Sequence, residues 1–426
     1  MSEPKRRPLF YGWVIVAIST LALLVSNGLS IGGIPVFYKP IQEDFLSLGT
    51  VTTQTADRVT GDAASLTFLL AGIFSLVVGS LIQRFSLKSL MVAGCFFLGG
   101  GLIFYSRATM PWQVYVSHSL LGLSLGLVGV MIQTVLIANW FLRRRGTAMG
   151  ILLTGTSFGG VLIPLIARPL IASYGWRPAI FILSLAVWLI LLPAIIFFVK
   201  DRASDIGENF DGVREKIETA NENISGGGLT LGEAMRTANF WILSLCAAAL
   251  FYPIFTTSQQ FILHIQKSPA IGVDAATASL AQSFLFVTSV GGKFLFGWLS
   301  DRLPTARVML ICCGLMFLGT LILLGFLTAD TVFLFLIPFG LGYGGTFVLL
   351  QLLAVEYFGL KDVGKILGAL TVIETLGAAT GGTVTGRLAA AAGGDYTTAF
   401  YGVTIAAGLA FVLVVILNFL PKPRVQ

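Results

Sequence analysis

Two ionisable residues stand where ionisable residues are costly. Lys293 lies in TSVGGKFLFGWLSDRL (residues 288–303), eight residues before Asp301, and Glu374 lies in TVIETLGAATGG (371–382), twelve residues after Asp362. Both stretches are otherwise apolar. On a helix rising 1.5 Å per residue, these separations put Lys293 about 12 Å and Glu374 about 18 Å from the nearest aspartate. A hydrocarbon core is about 30 Å thick, so each residue would sit near its middle. An ion there costs about 2.5–3.5 kcal/mol even on the lenient insertion scale and marks a functional site. A buried lysine can hold an organic anion; a buried glutamate can hold a proton. Side chains lean toward the start of their own helix, so Lys293 leans away from the nearer surface rather than snorkelling to it. The two charges could pair in an empty cavity, and an anion reaching Lys293 would then favour protonation of Glu374.

The elements that carry them are membrane spans. The chain has 426 residues, 56% hydrophobic and 11% charged, against roughly 25% charged in a soluble domain. Runs of span length recur at 12–38, 62–83, 88–106, 110–138, 147–171, 177–199, 239–265, 275–299, 306–328, 331–357, 364–391 and 397–420. This predicts an all-α polytopic protein with twelve transmembrane helices; a β-barrel would show short alternating segments instead. The first run is too long for a cleavable signal peptide and lacks a small-residue cleavage site. Of 27 Lys and Arg, only Lys39, Arg58, Arg107, Arg168, Arg177, Lys267 and Arg387 fall on the side away from the termini. With Lys293 set aside, the rest, including Lys5, Arg6, Arg7, Arg214, Lys216 and Arg424, share the termini's side. This bias predicts cytoplasmic termini. The excess positive charge orients the chain and meets anionic lipid, with no sign of nucleic acid as a partner.

A polar, Gly-rich stretch divides the spans into six and six. It predicts an N-terminal bundle (1–199), a cytoplasmic linker (200–238) ending in a short interfacial helix, and a C-terminal bundle (239–426). The halves repeat. GSLIQRFSLKS starts at Gly79 and GWLSDRLPTAR at Gly297, while ANWFLRRRGTAMG (138–150) parallels VEYFGLKDVGKILG (355–368) at nearly the same offset. Such a duplication implies a pseudo-two-fold axis along the membrane normal and a substrate site between the halves.

These features resemble the major facilitator superfamily. Finer matches resemble its monocarboxylate transporter branch and the bacterial oxalate/formate antiporters: YGWVIV (11–16), NWFLRRRGTAMGILLTGTSFGG (139–160), YGWR (174–177), SDIGENFDG (204–212) and GEAMRTANFW (232–241). The resemblance implies a secondary transporter working by alternating access, and it places the family's segment-8 arginine, which meets the substrate carboxylate, at Lys293. Lysine lacks the guanidinium's bidentate fork. Glu374 departs in sign from the lysine of the oxalate/formate branch. The monocarboxylate branch's segment-1 lysine aligns with Gly32, and its segment-8 aspartate with Ser289; neither is kept here.

The expected function is proton-coupled movement of a small, monocarboxylate-like organic anion across a bacterial inner membrane, by a monomer needing no cofactor. A zwitterionic or neutral solute is the alternative, and a non-transporting receptor a more remote one. Asp301, Arg302, Arg307, Arg84, Arg143, Arg144 and Arg145 would form a cytoplasmic gate, with Asp301 accepting bonds from neighbouring helix ends. Gln133, Asn27, Tyr252, Gln259 and Tyr343 are candidate substrate contacts, and His118 a candidate proton relay near neutral pH. Cys95, Cys246, Cys312 and Cys313 read as packing residues. No nucleotide-binding P-loop, metal cluster or nucleophile–base pattern stands out, which argues against an ATP-driven pump and an enzyme.

Overall fold

The structure, a computed structural model, describes residues 10–209, 211, 227–267, 271–324, 326–392 and 396–423. Lys5, Arg6, Arg7, Arg214, Lys216, Arg424 and the side chains of Gln259 and Lys267 lie outside the described residues. Among the described residues, twelve helices are long and apolar enough to cross a membrane: α1 (Gly12–Ser47), α2 (Thr53–Leu81), α3 (Leu87–Tyr105), α4 (Pro111–Ala138), α5 (Arg145–Tyr174), α6 (Trp176–Phe198), α7 (Ala238–Lys267), α8 (Ala275–Ser300), α9 (Thr305–Leu324), α10 (Val332–Phe358), α11 (Val363–Ala391) and α12 (Thr397–Phe419). The spans fall where the apolar runs predicted. Two helices outrun them, α1 by continuing to Ser47 and α2 by starting at Thr53. Arg177 explains the first: it forks onto Asp44 at 2.9 and 2.7 Å and donates to the Ala108 carbonyl, tying the end of α1 to the start of α6.

Packing repeats with the helices. The α1–α5, α2–α4 and α3–α4 pairs of the first half recur as α7–α11, α8–α10 and α9–α10 in the second. The halves meet along two seams, α5 with α8 and α2 with α11, again a matched pair. Both seams lie toward the end where α1 begins and α12 finishes.

Spans α1 and α4 are interrupted, and α6 carries a widened π-type turn of its own at Val187–Leu191. In α1, Gly28–Gly32 forms a widened π-type turn and Ile34–Phe37 a tight one before the helix resumes at Tyr38. In α4 the helix stops at Val128 and restarts at Val130, with Gly129 extended between. Backbone groups freed inside a membrane need internal partners, and the Gln133 amide supplies one by donating to the Val128 carbonyl at 3.0 Å.

The linker's described ends are docked. Asp201 accepts from the Leu87 and Lys88 amides at the start of α3, and Asp211 from the amides of Leu142 and Arg143. At the other end Leu229 donates to the Phe358 carbonyl at 2.8 Å, against Gly359, whose φ of 75° suits glycine. The interfacial helix is a single turn, Leu231–Ala234, capped reciprocally by Thr230 and Glu233.

Candidate functional site

Glycines set the seams, because nothing larger lets two helix backbones approach so closely. A Cβ at Gly150 would lie 2.5 Å from the Lys293 carbonyl, and one at Gly297 2.5 Å from the Gly146 carbonyl. On the other seam a Cβ at Gly79 would lie 2.5 Å from the Gly364 carbonyl, and one at Gly368 2.6 Å from that of Ser75. Gly79, Gly146 and Gly150 recur at a constant offset as Gly297, Gly364 and Gly368, so the repeat read from loop motifs is also a repeat of contacts.

Polar groups latch each seam. The Asp301 carboxylate, at the end of α8, accepts from the Gly146 amide at 2.7 Å and from the Thr147 amide and hydroxyl at 2.9 and 2.6 Å. An anion at the start of α5 satisfies unpaired amides and meets the positive end of the helix dipole. Burial pushes the Asp301 carboxyl above its usual range, against the pull of the Thr147 and Gly146 bonds. At the position matching Asp301 stands Gln83, and the acid has moved across the seam: Gln83 donates to Asp362, which also accepts from the Leu231 amide at 3.2 Å and faces Lys365 at 3.6 Å.

Of the predicted gate cations, Arg145 is built in, donating to the Ala138 carbonyl at the end of α4 and to the Phe141 carbonyl just beyond it. Arg302 lies over the Trp298 ring of its own helix at 3.6 Å. Arg84, Arg143, Arg144 and Arg307 are exposed.

Beyond the seams, on the side away from the α1 start, a cavity of about 560 Å³ opens between the halves. Asn27, Tyr38, Thr156, Gln282 and Tyr343 are among its walls. Next to it, sharing Asn27, Phe68, Phe255 and Phe347, is a pocket of about 150 Å³ that Glu374 lines.

Lys293 is fully buried at the edge of this space. Its ammonium donates to Thr156 Oγ1 at 2.8 Å and Ser157 Oγ at 2.7 Å, both on α5 of the opposite half. The rings of Tyr343 and Phe347 cover it, with centroids 5.7 and 5.3 Å away. Glu374 is 6% exposed and makes no hydrogen bond or ion pair among the described residues. The expected Lys293–Glu374 pair is therefore not formed in this state. The lysine reaches instead for α5, because the glycine seam brings α5 against its backbone while Phe347 stands on the side of the Glu374 pocket.

The secondary candidates divide. Asn27 and Tyr343 line the cavity. Gln133 repairs the break in α4, and Tyr252 faces Thr385 of α11 at 3.4 Å within its own half. His118 is fully buried between Thr67 Oγ1 at 2.8 Å and the Tyr105 hydroxyl at 3.2 Å, a tie among α2, α3 and α4. The four cysteines are buried. Gly32 packs on Gly160, where a Cβ would already lie 2.6 Å from the α5 backbone, so a lysine has no room there. Sequence reasoning missed Thr156 and Ser157, although TGTSFGG shows adjacent hydroxyls in an apolar span. It also missed the pocket walls Phe68, Phe251, Phe255 and Phe347, which nothing separates from the other phenylalanines by sequence.

Comparison with known proteins agrees with this architecture. The profile of the Major Facilitator Superfamily matches residues 20–270 and 261–426. The chain is 27% identical over 344 residues to the MFS transporter asaE of Aspergillus flavus, covering 79% of this chain and 73% of that one. It is 25% identical to the uncharacterized MFS-type transporter YhjX of Escherichia coli (70% and 71% covered) and to monocarboxylate transporter 12 of Rattus norvegicus (92% and 82% covered). Among solved structures, the proton:xylose symporter XylE superposes with a TM-score of 0.78 at 13% identity, over 97% of this chain and 96% of that one. The E. coli fucose:proton symporter FucP superposes at 0.71 and 14% identity, over 97% and 99%. The chain belongs to the Major Facilitator Superfamily: it is a multi-pass membrane protein and a secondary transporter of a small molecule, not an enzyme.

Proposed function

We propose that this protein carries a small organic anion together with a proton, by alternating access, as a monomer in a bacterial inner membrane with both termini cytoplasmic. The observation that carries the reading is the separation of Lys293 and Glu374: two buried groups of opposite sign beside adjoining spaces, not paired with each other. Lys293 is also a tie between the halves. A carboxylate drawing the ammonium from Thr156 and Ser157 would loosen the α5–α8 seam, linking occupancy to the opening of the closed end. Glu374 lines the adjoining pocket without a partner among the described residues, and closing the space around a bare carboxylate is costly; a proton removes that cost. Similarity to monocarboxylate transporter 12 supports the anion class.

The test is Glu374→Gln in proteoliposomes loaded with a panel of short carboxylates. Accumulation driven by a pH gradient is expected to vanish, while exchange down a substrate gradient continues. An unchanged pH response would remove Glu374 from coupling.

A zwitterionic solute is the second reading. It is favoured by one fact: of the two charged groups, Glu374 lines the open pocket, while Lys293 lies behind Tyr343 and Phe347. Inhibition of transport by amino acids but not by simple carboxylates would establish it over the first.

A further inference from the structure

We infer that the pocket beside Glu374 is a subsite for a protonated amine on the transported solute. The inference rests on reading the cavity as the solute's path, and it does not require Glu374 to carry a proton.

Four phenylalanines from three helices wall the pocket: Phe68 of α2, Phe251 and Phe255 of α7, and Phe347 of α10. Their rings form one connected cluster. Phe251 stacks on Phe255 and on Phe347 with centroids 5.9 and 5.6 Å apart, and Phe68 meets Phe255 edge-on at 5.4 Å. Glu374 of α11 closes the pocket with a carboxylate that is nine-tenths buried and unpartnered among the described residues.

Ring faces and a carboxylate attract the same kind of guest. The face of an aromatic ring carries negative quadrupole and draws a cation within about 6 Å, and the carboxylate adds a full opposite charge. A neutral apolar guest would be served by the rings alone and would leave the acid unpaired. An anion would meet repulsion from both. A hard metal ion needs about six oxygen ligands, and no cluster of acidic or histidine side chains able to hold one exists among the described residues. An ammonium on a small organic body answers both the rings and the acid. The space suits it, since the pocket measures about 150 Å³ and an engineered apolar cavity of about that size holds benzene. The rest of the solute would extend past the shared residues Asn27 and Phe255 into the 560 Å³ cavity. Lys293, held on α5 by Thr156 and Ser157, already lies over the Phe347 ring, so Glu374 with Phe68, Phe251 and Phe255 supplies the pocket's attraction for a cation.

The test is calorimetric binding of benzylammonium, benzyl alcohol and benzoate to the purified full-length protein. Benzylammonium is expected to bind about tenfold tighter than its neutral isostere, a preference of about 1.4 kcal/mol. Glu374→Gln should erase that preference, and Phe255→Leu should reduce it while leaving the carboxylate in place. The second variant keeps the question answerable if the first fails to fold. Equal binding of benzylammonium and benzyl alcohol by the unaltered protein overturns the inference, as does a preference that survives both variants. Failure here with pH-driven carboxylate uptake intact would leave the proton-coupled reading standing. An ammonium preference alongside an unchanged pH response in Glu374→Gln would do the reverse.

Discussion

Thr156 and Ser157 compete with any ligand for the ammonium of Lys293, and that competition can be measured. Replacing them with Val and Ala leaves a buried cation without its two acceptors. Each unsatisfied bond to a charged group costs about 1.5–3 kcal/mol, so the empty double variant should melt several degrees lower than the parent. An anion supplies the missing acceptors, so its stabilising shift should be larger in the variant than in the parent. An equal shift in both would mean that the ligand never reaches Lys293. The depth of this lysine was legible from its distance to Asp301 along a helix. Its partner was not, because spacing along one helix gives height in the membrane but not the direction in which neighbouring helices lie. The same limit separated Asn27, which faces the cavity, from Gln133, Tyr252 and His118, each of which makes a side-chain hydrogen bond inside its own half.

At the scale of elements, the α5–α8 and α2–α11 contacts define a closed end that depends on missing side chains. Gly297→Ala would push a methyl to within 2.5 Å of the Gly146 carbonyl, and overpacking of this kind costs about 1–3 kcal/mol. Asp301→Asn acts in the same direction, since an amide cannot accept from all three donors of Gly146 and Thr147. Both variants should expose residues 146–150 to faster amide hydrogen exchange and raise thiol labelling at the closed end; unchanged exchange would show that this seam does not hold the state. The closed state holds the Asp301 carboxyl above its usual range, so proton uptake favours closure over a hydrated open form. The Asp in GWLSDR announced the latch in the sequence, while the seam glycines Gly146, Gly150 and Gly297 were not singled out there. The breaks in α1 and α4 were not announced, because GLSIGG and LVGVM keep the apolar character of an unbroken span and only packing on α5 and the reach of Gln133 select the interrupted form.

The whole molecule repeats one unit twice, yet the copies divide their charges differently, with Asp301 on α8 at one seam and Asp362 before α11 at the other. Rocking the halves must break both latches together, since each joins one half to the other. Linking the second should therefore arrest the entire cycle. All four native cysteines are buried, so the unaltered background offers few competing thiols. Gln83→Cys with Asp362→Cys, bridged by a short reducible bis-thiosulfonate, is expected to stop transport and to recover on reduction. In the bridged state a thiol placed at Ser258, which lines the cavity, should still be labelled from the side opposite the termini. Movement of one half against the other, with the cavity reached from alternate sides, requires this pairing of arrest with access. Transport that continues in the bridged protein would mean that the α2–α11 seam stays shut throughout, and that the α5–α8 seam with its Lys293 tie moves without it.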